Sequence, residues 1–220
     1  MDRPPDRPTR RLTRLGEKQS EDLAELHRLL EDTYLGHIAL ADGGEISVVP
    51  TAVVRVGSSL VWHGSTGSGW MRALSGGLPV AVSVTALDGV VVARSRFESS
   101  FHYRSAVIRG RPRRLDGEEK LRALDAVVER LLPGRLAETR DSDTRELAAT
   151  MVLAVPLDDW VLKVSDGWPE DTGEDIAGDA WAGVVPLGTV YGTPLAAPDL
   201  RPGIDVPPSV KAFGEAQPPN

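Results

Sequence analysis

The sequence contains no cysteine, and this single absence removes several kinds of chemistry. Without thiols the chain cannot form a disulfide, an iron–sulfur cluster or a thiolate nucleophile, and the usual structural zinc site is excluded as well. We therefore predict no metal site built from cysteine, and any redox chemistry must come from a bound cofactor.

Long hydrophobic runs are also missing. No stretch approaches the roughly 20 apolar residues that a membrane span needs, and the opening MDRPPDRPTRRLTRLGE has no apolar core of a secretory signal. We therefore expect a soluble, cytoplasmic protein with no membrane partner. The net charge of −7 argues against nucleic acid as a partner, because phosphate binding calls for a clustered basic face.

Composition divides the 220 residues into three parts. The arginine-rich residues 1–11 predict a disordered basic arm, although contact with an anionic partner is left open. Six prolines between residues 198 and 220 predict an extended or disordered tail over residues 191–220, because proline disfavours helices and central strands. Residues 12–190 remain as one folded domain of ordinary size.

The hydrophobic pattern of this domain predicts a mainly β fold with flanking helices. In SEDLAELHRLLEDTY leucines recur at helical spacing after Ser20, a plausible N-cap. Residues 36–64 alternate with period two around the turns DGG and VGSS, and residues 79–95 repeat this pattern with Asp88-Gly89 as their turn. Further strands are predicted in FHYRSAVIRGRPRRL and MVLAVPLDDWVLKVSDG, with helices in DGEEKLRALDAVVERLLPG and TRELAAT. Together they predict a six-stranded antiparallel barrel.

The stretch LVWHGSTGSGWMRALSGG joins a strand to a helix through hydroxylic residues and glycines. Ser65, Thr66 and Ser68 would present hydroxyls and backbone N–H groups to one point, where the helix dipole adds positive potential. Arg72 could close a bidentate grip on an anion held there. This pattern indicates a phosphate site. The alternative is that Ser68 is an N-cap, Ser65 and Thr66 are turn residues, and Arg72 is solvated.

Other side chains leave two interpretations open. His102 and Arg104 would share one strand face, with Tyr103 on the other, and would either line a cleft or decorate the barrel exterior. His63 would be a structural residue or a ligand. Trp70 would pack in a core or a dimer interface, or stack on a planar ligand. No HExxH or GxSxG motif indicates a hydrolase.

Several of these blocks, occurring in one order, resemble a known family. GHIALADGGEISVVPTAVVRVGSSLVWHGSTGSGWMRAL, followed by VSVTALDGVVVARS, FHYRSAVIRGRPRRL, EEKLRAL and ELAATMVLAVPLDDWVLKV, is similar to the pyridoxamine 5′-phosphate oxidase-like FMN-binding split barrels. The nitroimidazole-resistance-like branch, common in actinobacteria, is the nearest in pattern. The resemblance covers residues 12–190 and implies a split-barrel fold and a homodimer with two flavins at the subunit interface.

The resemblance also implies roles for individual residues. The strand beside the isoalloxazine ring would contain Val49, Pro50 and Thr51. The segment that approaches the ribityl phosphate would contain His63, Ser65, Thr66 and Ser68, with Arg72 as the basic position after it and Trp70 as a cofactor contact. Trp181 would reach over the pocket of the partner subunit.

Taken together, these features predict an FMN-dependent oxidoreductase that acts on a small molecule. His102, Tyr103 and Arg104 are the predicted catalytic residues, and a nicotinamide would visit transiently because no Rossmann motif is present. Two alternatives remain open. One is a haem-binding enzyme on the same barrel, with His63 or His102 as axial ligand. The other is a non-catalytic flavin- or ligand-binding dimer, which Gly69 and Trp70 favour because relatives commonly carry basic residues there.

Overall fold

The structure is a computed structural model, and it describes residues 11–215. The predicted basic arm lies outside these residues apart from Arg11. Within the described range no helix is long and apolar enough to cross a membrane. The cytoplasmic location stays a prediction.

The described residues contain eleven β-strands and six α-helices. The strands are β1 (Gln19–Ser20), β2 (Leu35–Asp42), β3 (Glu45–Ala52), β4 (Val54–Val56), β5 (Ser59–Ser65), β6 (Val80–Val92), β7 (Ser100–Gly110), β8 (Arg113–Leu115), β9 (Thr150–Pro156), β10 (Asp159–Ser165) and β11 (Gly183–Pro186). The helices are α1 (Leu23–Asp32), α2 (Gly69–Ser75), α3 (Gly117–Leu131), α4 (Thr144–Ala149), α5 (Gly173–Ile176) and α6 (Pro208–Glu215).

The strands form two antiparallel sheets. Sheet A has the order β1-β10-β7-β6-β2-β3, with β11 also paired to β6, and sheet B has the order β4-β5-β9-β8. The chain passes from sheet A to sheet B at Val53 and again at Arg111-Pro112. The predicted mainly β, antiparallel architecture is confirmed. The structure has more strands than the six predicted ones. Each crossing divides one long predicted run into two strands, β3 and β4 or β7 and β8, and the short strands β1 and β11 add to sheet A.

Strand β6 corrects one predicted turn. Asp88-Gly89 does not reverse the chain, because β6 runs unbroken for 13 residues and keeps pairing with β7 on both sides of this point. The register shifts between Leu87 and Gly89, which is a β-bulge. Glycine suits this position, since a Cβ on Gly89 would lie 3.0 Å from Val184 Cγ1 of β11.

Helix α1 begins later than the sequence predicts. Its N-cap is Asp22, whose side chain accepts a hydrogen bond of 2.8 Å from the Ala24 N–H. Ser20 instead pairs with Leu162 in sheet A, and its hydroxyl accepts a hydrogen bond of 3.1 Å from the Asp22 N–H. The predicted N-cap was therefore wrong by two residues.

The main core lies between the two sheets and helices α1 and α2. Its fully buried side chains are Leu26, Leu29, Ile38, Leu60, Trp62, Met71, Leu74, Val82, Val84, Ile108, Leu153 and Leu162. A smaller cluster on the other face of sheet B joins Val61 and Val152 to Ala123 of α3. The side of α3 that faces sheet B is therefore apolar, as its amphipathic pattern predicts.

The proline-rich tail is more ordered than the sequence predicts. Pro208 is the first residue of α6, a position where the missing N–H of proline costs nothing. The Ser209 N–H and hydroxyl donate to the Glu138 carboxylate at 3.0 and 2.6 Å. The Tyr191 ring packs against Phe213. The prediction that residues 191–220 are extended or disordered is therefore wrong for this helix.

One face of sheet A is open, and we call it the outer face. Its central row, read across β3, β2, β6, β7 and β10, consists of Pro50, His37, Ser83, Val107 and Val161. The neighbouring rows contain Val48, Ala39, Ala81 and Arg109 on one side and Leu35, Thr85, Ser105 and Lys163 on the other. None of these residues is buried, whereas alternate residues of β2, β6, β7 and β10 belong to the core.

Candidate functional site

The predicted phosphate loop, residues 65–68, connects β5 to α2 and is fixed by its own hydroxyl groups. The Thr66 N–H and hydroxyl both donate to the Ala149 carbonyl, at 2.9 and 3.2 Å. The Gly67 N–H donates to Ser65 Oγ at 3.1 Å. Ser65 and Thr66 therefore shape the loop backbone, as the turn alternative predicts.

The start of α2 has the free donors that an anion requires. Ser68 is the N-cap by position, but no side-chain capping bond from it exists among the described residues. The first amide groups of the helix therefore lack a capping partner. A Cβ on Gly69 would meet no atom within 4 Å, so open space lies beside this turn.

Arg72 brings a guanidinium to the same loop. Its Nη1 donates to the Gly67 carbonyl at 2.6 Å and to the Thr66 carbonyl at 3.3 Å. These bonds hold the exposed side chain over the loop rather than in bulk solvent. The loop thus combines backbone N–H groups, the Ser68 hydroxyl and one positive charge, which is a set that can bind a phosphate.

The other predicted cofactor contacts lie on separate elements of the fold. Val49, Pro50 and Thr51 lie on β3, the edge strand of sheet A, where the missing N–H of Pro50 is tolerated. Trp70 is half-buried and packs against the main core, which matches the packing alternative. Trp181 is 65% exposed, and its ring lies over Gly183 at the start of β11.

His63 does not face the interior with Trp62. Strand alternation puts it on the face of Val61, which is covered by α3, and its cross-strand neighbour is Val152. Its Nδ1 is buried and has no hydrogen-bond partner in the described part of the chain. His63 therefore lies on the face of sheet B that carries α3, and its role as a cofactor contact stays a prediction.

The predicted catalytic residues are held by contacts within the protein. Arg104 donates to both oxygens of Asp88, at 2.8 and 2.9 Å, and to Asp32 at 2.5 Å. The bonds to Asp88, and then those to Asp32, raise the pKa of Arg104. His102 Nε2 lies 2.9 Å from the Gly167 carbonyl, and Tyr103 lies on the outer face with Lys163 Nζ 5.4 Å from its ring centroid. Their catalytic roles stay predictions.

Sequence reasoning missed a groove at one end of the outer face. It has a volume of about 550 Å³ and opens where β2 and β6 stop pairing, after Ala39 and Ala81. Apolar residues line most of it, and Arg109 and Arg111 line the rest. Arg109 Nη1 is buried and lacks a hydrogen-bond partner within residues 11–215. The alternation of strand residues could have placed Arg109 on this face, but the groove depends on the register of four strands.

Helix α4 supports the phosphate loop and gives a testable pH dependence. Its capping box joins Asp143 and Glu146, and Arg140 donates to both oxygens of Glu146. The hydrogen bond from Arg140, helped by the Asp143 N–H, lowers the pKa of Glu146 to about 2. Because folding lowers the pKa of Glu146, its carboxylate stabilises the folded protein fully at pH values above the ordinary glutamate pKa. This contribution to stability is lost as the pH falls through about 2.

We expect the backbone amide resonance of Asp143, whose N–H donates to Glu146 Oε2 at 2.9 Å, to report this titration by NMR. It should keep its shift through pH 4 and move only near pH 2. Glu146→Gln should abolish the response. A midpoint at the ordinary pKa of 4.5 would show that the pair is not formed in solution.

The two antiparallel sheets, with helix α2 following the loop after β5, have the architecture of a split-barrel protein. A family model described as pyridoxamine 5′-phosphate oxidase matches residues 22–164. The chain therefore belongs to the pyridoxamine 5′-phosphate oxidase family, as its sequence blocks predict. A comparison with curated proteins found no match.

Three solved structures are similar to this chain. The FAD and haem binding protein from Mycobacterium smegmatis is 53% identical, with 89% of this chain and 97% of that one covered and a TM-score of 0.86. The flavocytochrome Anf3 from Azotobacter vinelandii is 30% identical, with 92% and 94% covered and a TM-score of 0.85. A protein named for 5-nitroimidazole antibiotic resistance, from Bacteroides thetaiotaomicron, is 20% identical, with 66% and 86% covered and a TM-score of 0.54. The third similarity concerns the fold alone.

Proposed function

We propose that this protein is an oxidoreductase that binds both a flavin and a haem. The observation that carries the proposal is the 53% identity, over 89% of the chain, to a protein named for binding FAD and haem. A second relative that spans nearly the whole chain is named a flavocytochrome. The flavin and the haem, which are alternatives at the level of sequence, would therefore be bound together.

The loop before α2 fits the phosphate of a flavin. Its uncapped first turn and the guanidinium of Arg72 supply donors, and the open space beside Gly69 admits a ligand. The sequence resemblance implies FMN, whereas the name of the 53% identical relative favours FAD. Both flavins have the same ring and ribityl phosphate. We propose FAD, with β3 beside its ring.

We further propose that the protein is a homodimer that buries the outer face of sheet A. Polar and apolar side chains are mixed on this face, and its apolar residues include Val48, Ile46 and Leu35, which are exposed by 58%, 81% and 51%. Apolar surface of this extent on a soluble protein is typical of an interface. A second copy related by a twofold axis would cover it with the same residues.

A bound flavin supplies hydride or single-electron transfer, and a haem exchanges single electrons. The residues of this chain would bind and orient these groups. His102 is held against the Gly167 carbonyl, and Arg104 is neutralised by two carboxylates. These contacts would hold both side chains in fixed positions beside a bound substrate. The electron donor would be a nicotinamide that binds transiently.

The absorbance spectrum of the freshly purified protein tests this proposal. We expect flavin bands together with a Soret band, and FAD as the flavin found by mass spectrometry after acid extraction. Steady oxidation of a reduced nicotinamide would support the enzyme. Protein that stays colourless after reconstitution with FAD and haemin would contradict the proposal, and binding without turnover would favour the non-catalytic dimer.

A further inference from the structure

The groove at one end of the outer face lies where two strands of sheet A separate. β2 and β6 pair as far as Ala39 and Ala81, and Pro79, which precedes β6, has no N–H with which to continue this ladder. Beyond this point β2 pairs only with β3, and β6 leaves the groove between them. The buried core residues Leu40 and Val80 belong to its lining, so the groove is apolar over most of its surface.

The charge of the groove comes from the end of β7. Arg109 lies in one row with Ala39 and Ala81 across three strands, and all three residues line the groove. Arg111 follows directly after β7 and also lines it, with its side chain anchored by a hydrogen bond to the Gly77 carbonyl. No acidic residue belongs to this lining within the described chain. One end of the groove is therefore positively charged.

The acidic residues near the groove do not enter it. Asp159 is the cross-strand neighbour of Arg109 on β10 and is not part of the lining. Asp42 and Glu45 end the hairpin of β2 and β3, next to the lining residue Ile46. Strand alternation turns these two side chains to the face opposite that of Ile46. An anion in the groove would therefore meet the guanidinium groups without competition from a carboxylate of the lining.

Arg109 has an unmet hydrogen-bonding capacity at this position. Its Nη1 is buried and has no hydrogen-bond partner within residues 11–215. A guanidinium keeps its charge at every physiological pH, so the group cannot avoid the cost of burial by losing a proton. A buried donor without an acceptor is costly, and an anionic acceptor would remove this cost through a charge-assisted hydrogen bond. The groove thus offers one specific polar anchor beside apolar walls.

We propose that this groove binds a small amphipathic anion. Arg109 and Arg111 would hold its carboxylate or phosphate head group, and its apolar body would lie over the alanines towards Ile46 on β3. Three strand spacings, from β7 through β6 and β2 to β3, separate the two ends by roughly 15 Å. This length suits a medium-length acyl chain. The site goes beyond the proposed function, because it requires neither the flavin nor the haem.

Charge favours such a ligand over a second copy of the chain as the occupant. In a twofold dimer each copy contributes the same residues to the interface. A second copy that placed its own groove against this one would add two further guanidinium groups to Arg109 and Arg111, and like charges repel. A small anion neutralises the groove instead, and the volume of about 550 Å³ is in the range of ligand pockets.

The first test is isothermal titration calorimetry of the freshly purified protein with decanoate and with decyl phosphate. We expect one site per chain and a dissociation constant below about 100 μM for the tighter of the two, which identifies the head group. Acetate has the charge without the apolar body, and decanol has the body without the charge. Each should bind at least about 10-fold more weakly, because the groove uses both contacts.

The second test changes the two ends of the proposed contact separately. Arg109→Leu removes the anchor and should weaken binding of the tighter amphiphile about 10- to 100-fold, with little effect on decanol. Ala81→Phe keeps both guanidinium groups but fills the groove, and it should weaken binding of the amphiphile and of decanol together. The control Arg114→Leu, on β8 and paired with Asp116, should leave every affinity unchanged. Circular dichroism should show that all variants are folded.

Several results would overturn this site. One is the absence of saturable binding of both amphiphiles up to about 1 mM, a second is equal affinity for decanol, and a third is an affinity that neither Arg109→Leu nor Ala81→Phe changes. Variants that alter only the sedimentation coefficient, in a protein that binds neither amphiphile, would show that the second copy fills the groove.

The same measurements separate this site from the proposed function. Purified protein that holds flavin and haem but binds neither amphiphile would overturn the site and leave the proposed function intact. Protein that binds an amphiphile through Arg109 and remains colourless after reconstitution would support the site and contradict the proposed function.

Discussion

Val107→Asp should convert the proposed dimer to a monomer. Val107 occupies the central row of the outer face, between Ser83 and Val161, so a charge there does not enter the core of the subunit. In a twofold dimer the substitution would bury two carboxylates without partners. At about 3–5 kcal/mol for each uncompensated charge, the dissociation constant should rise about 10⁴-fold or more. Sedimentation velocity measures the change directly.

The matched control is Leu121→Asp. Leu121 is 42% exposed on α3, which packs on sheet B, so the same charge there should leave the proposed dimer intact. We also expect Val107→Asp to release the flavin, because β3, the strand proposed to lie beside the flavin ring, belongs to the face that the dimer would bury. A variant that stays dimeric, or a monomer that keeps its flavin, would contradict the proposed interface.

Trp62→Ala should cause the largest loss of stability of any single substitution considered. Trp62 is fully buried on β5, the strand that leads into the phosphate loop, and it packs in the main core. Truncating a buried tryptophan to alanine costs about 3–5 kcal/mol, because apolar burial is lost and a cavity remains. Urea unfolding followed by circular dichroism should show the lower midpoint with little change in slope.

Two controls separate packing from other effects at Trp62. Its indole Nε1 is buried without a hydrogen-bond partner in the described structure, so Trp62→Phe loses volume but also removes an unmet donor. We expect this variant to lose less than half the stability that Trp62→Ala loses. Trp168→Ala should change stability by at most about 0.5 kcal/mol, since Trp168 is 76% exposed. Equal losses in Trp62→Ala and Trp168→Ala would contradict the assigned core.

Local patterns predicted most of the fold. Three local patterns were sufficient: the leucine spacing of α1, the alternation of β2 and β3, and the apolar stripe of α3. Each pattern arises because one side of the element faces the protein interior, and it can be read from a short stretch of sequence. Errors arose where a distant partner decides the structure. Asp88-Gly89 has the composition of a turn, yet β7 and β11 pair with the strand on either side of it and hold a bulge instead.

The candidate site was predicted only in part for the same reason. The phosphate loop lies in one continuous stretch, so its hydroxyls, amides and Arg72 could be recognised from spacing. Ala39 and Arg109 are 70 positions apart in sequence and line the same groove because β6 pairs with β2 on one side and β7 on the other. No local pattern marks such a pair. The unmet hydrogen bond of Arg109 is visible only in three dimensions.

Native mass spectrometry of the freshly purified protein tests most directly whether two copies of this chain assemble with a flavin and a haem. The account predicts one dominant species, a dimer that carries two FAD and two haem groups, and joint loss of the cofactors when the dimer dissociates. A monomer that retains both cofactors, or a dimer that carries neither, would contradict it.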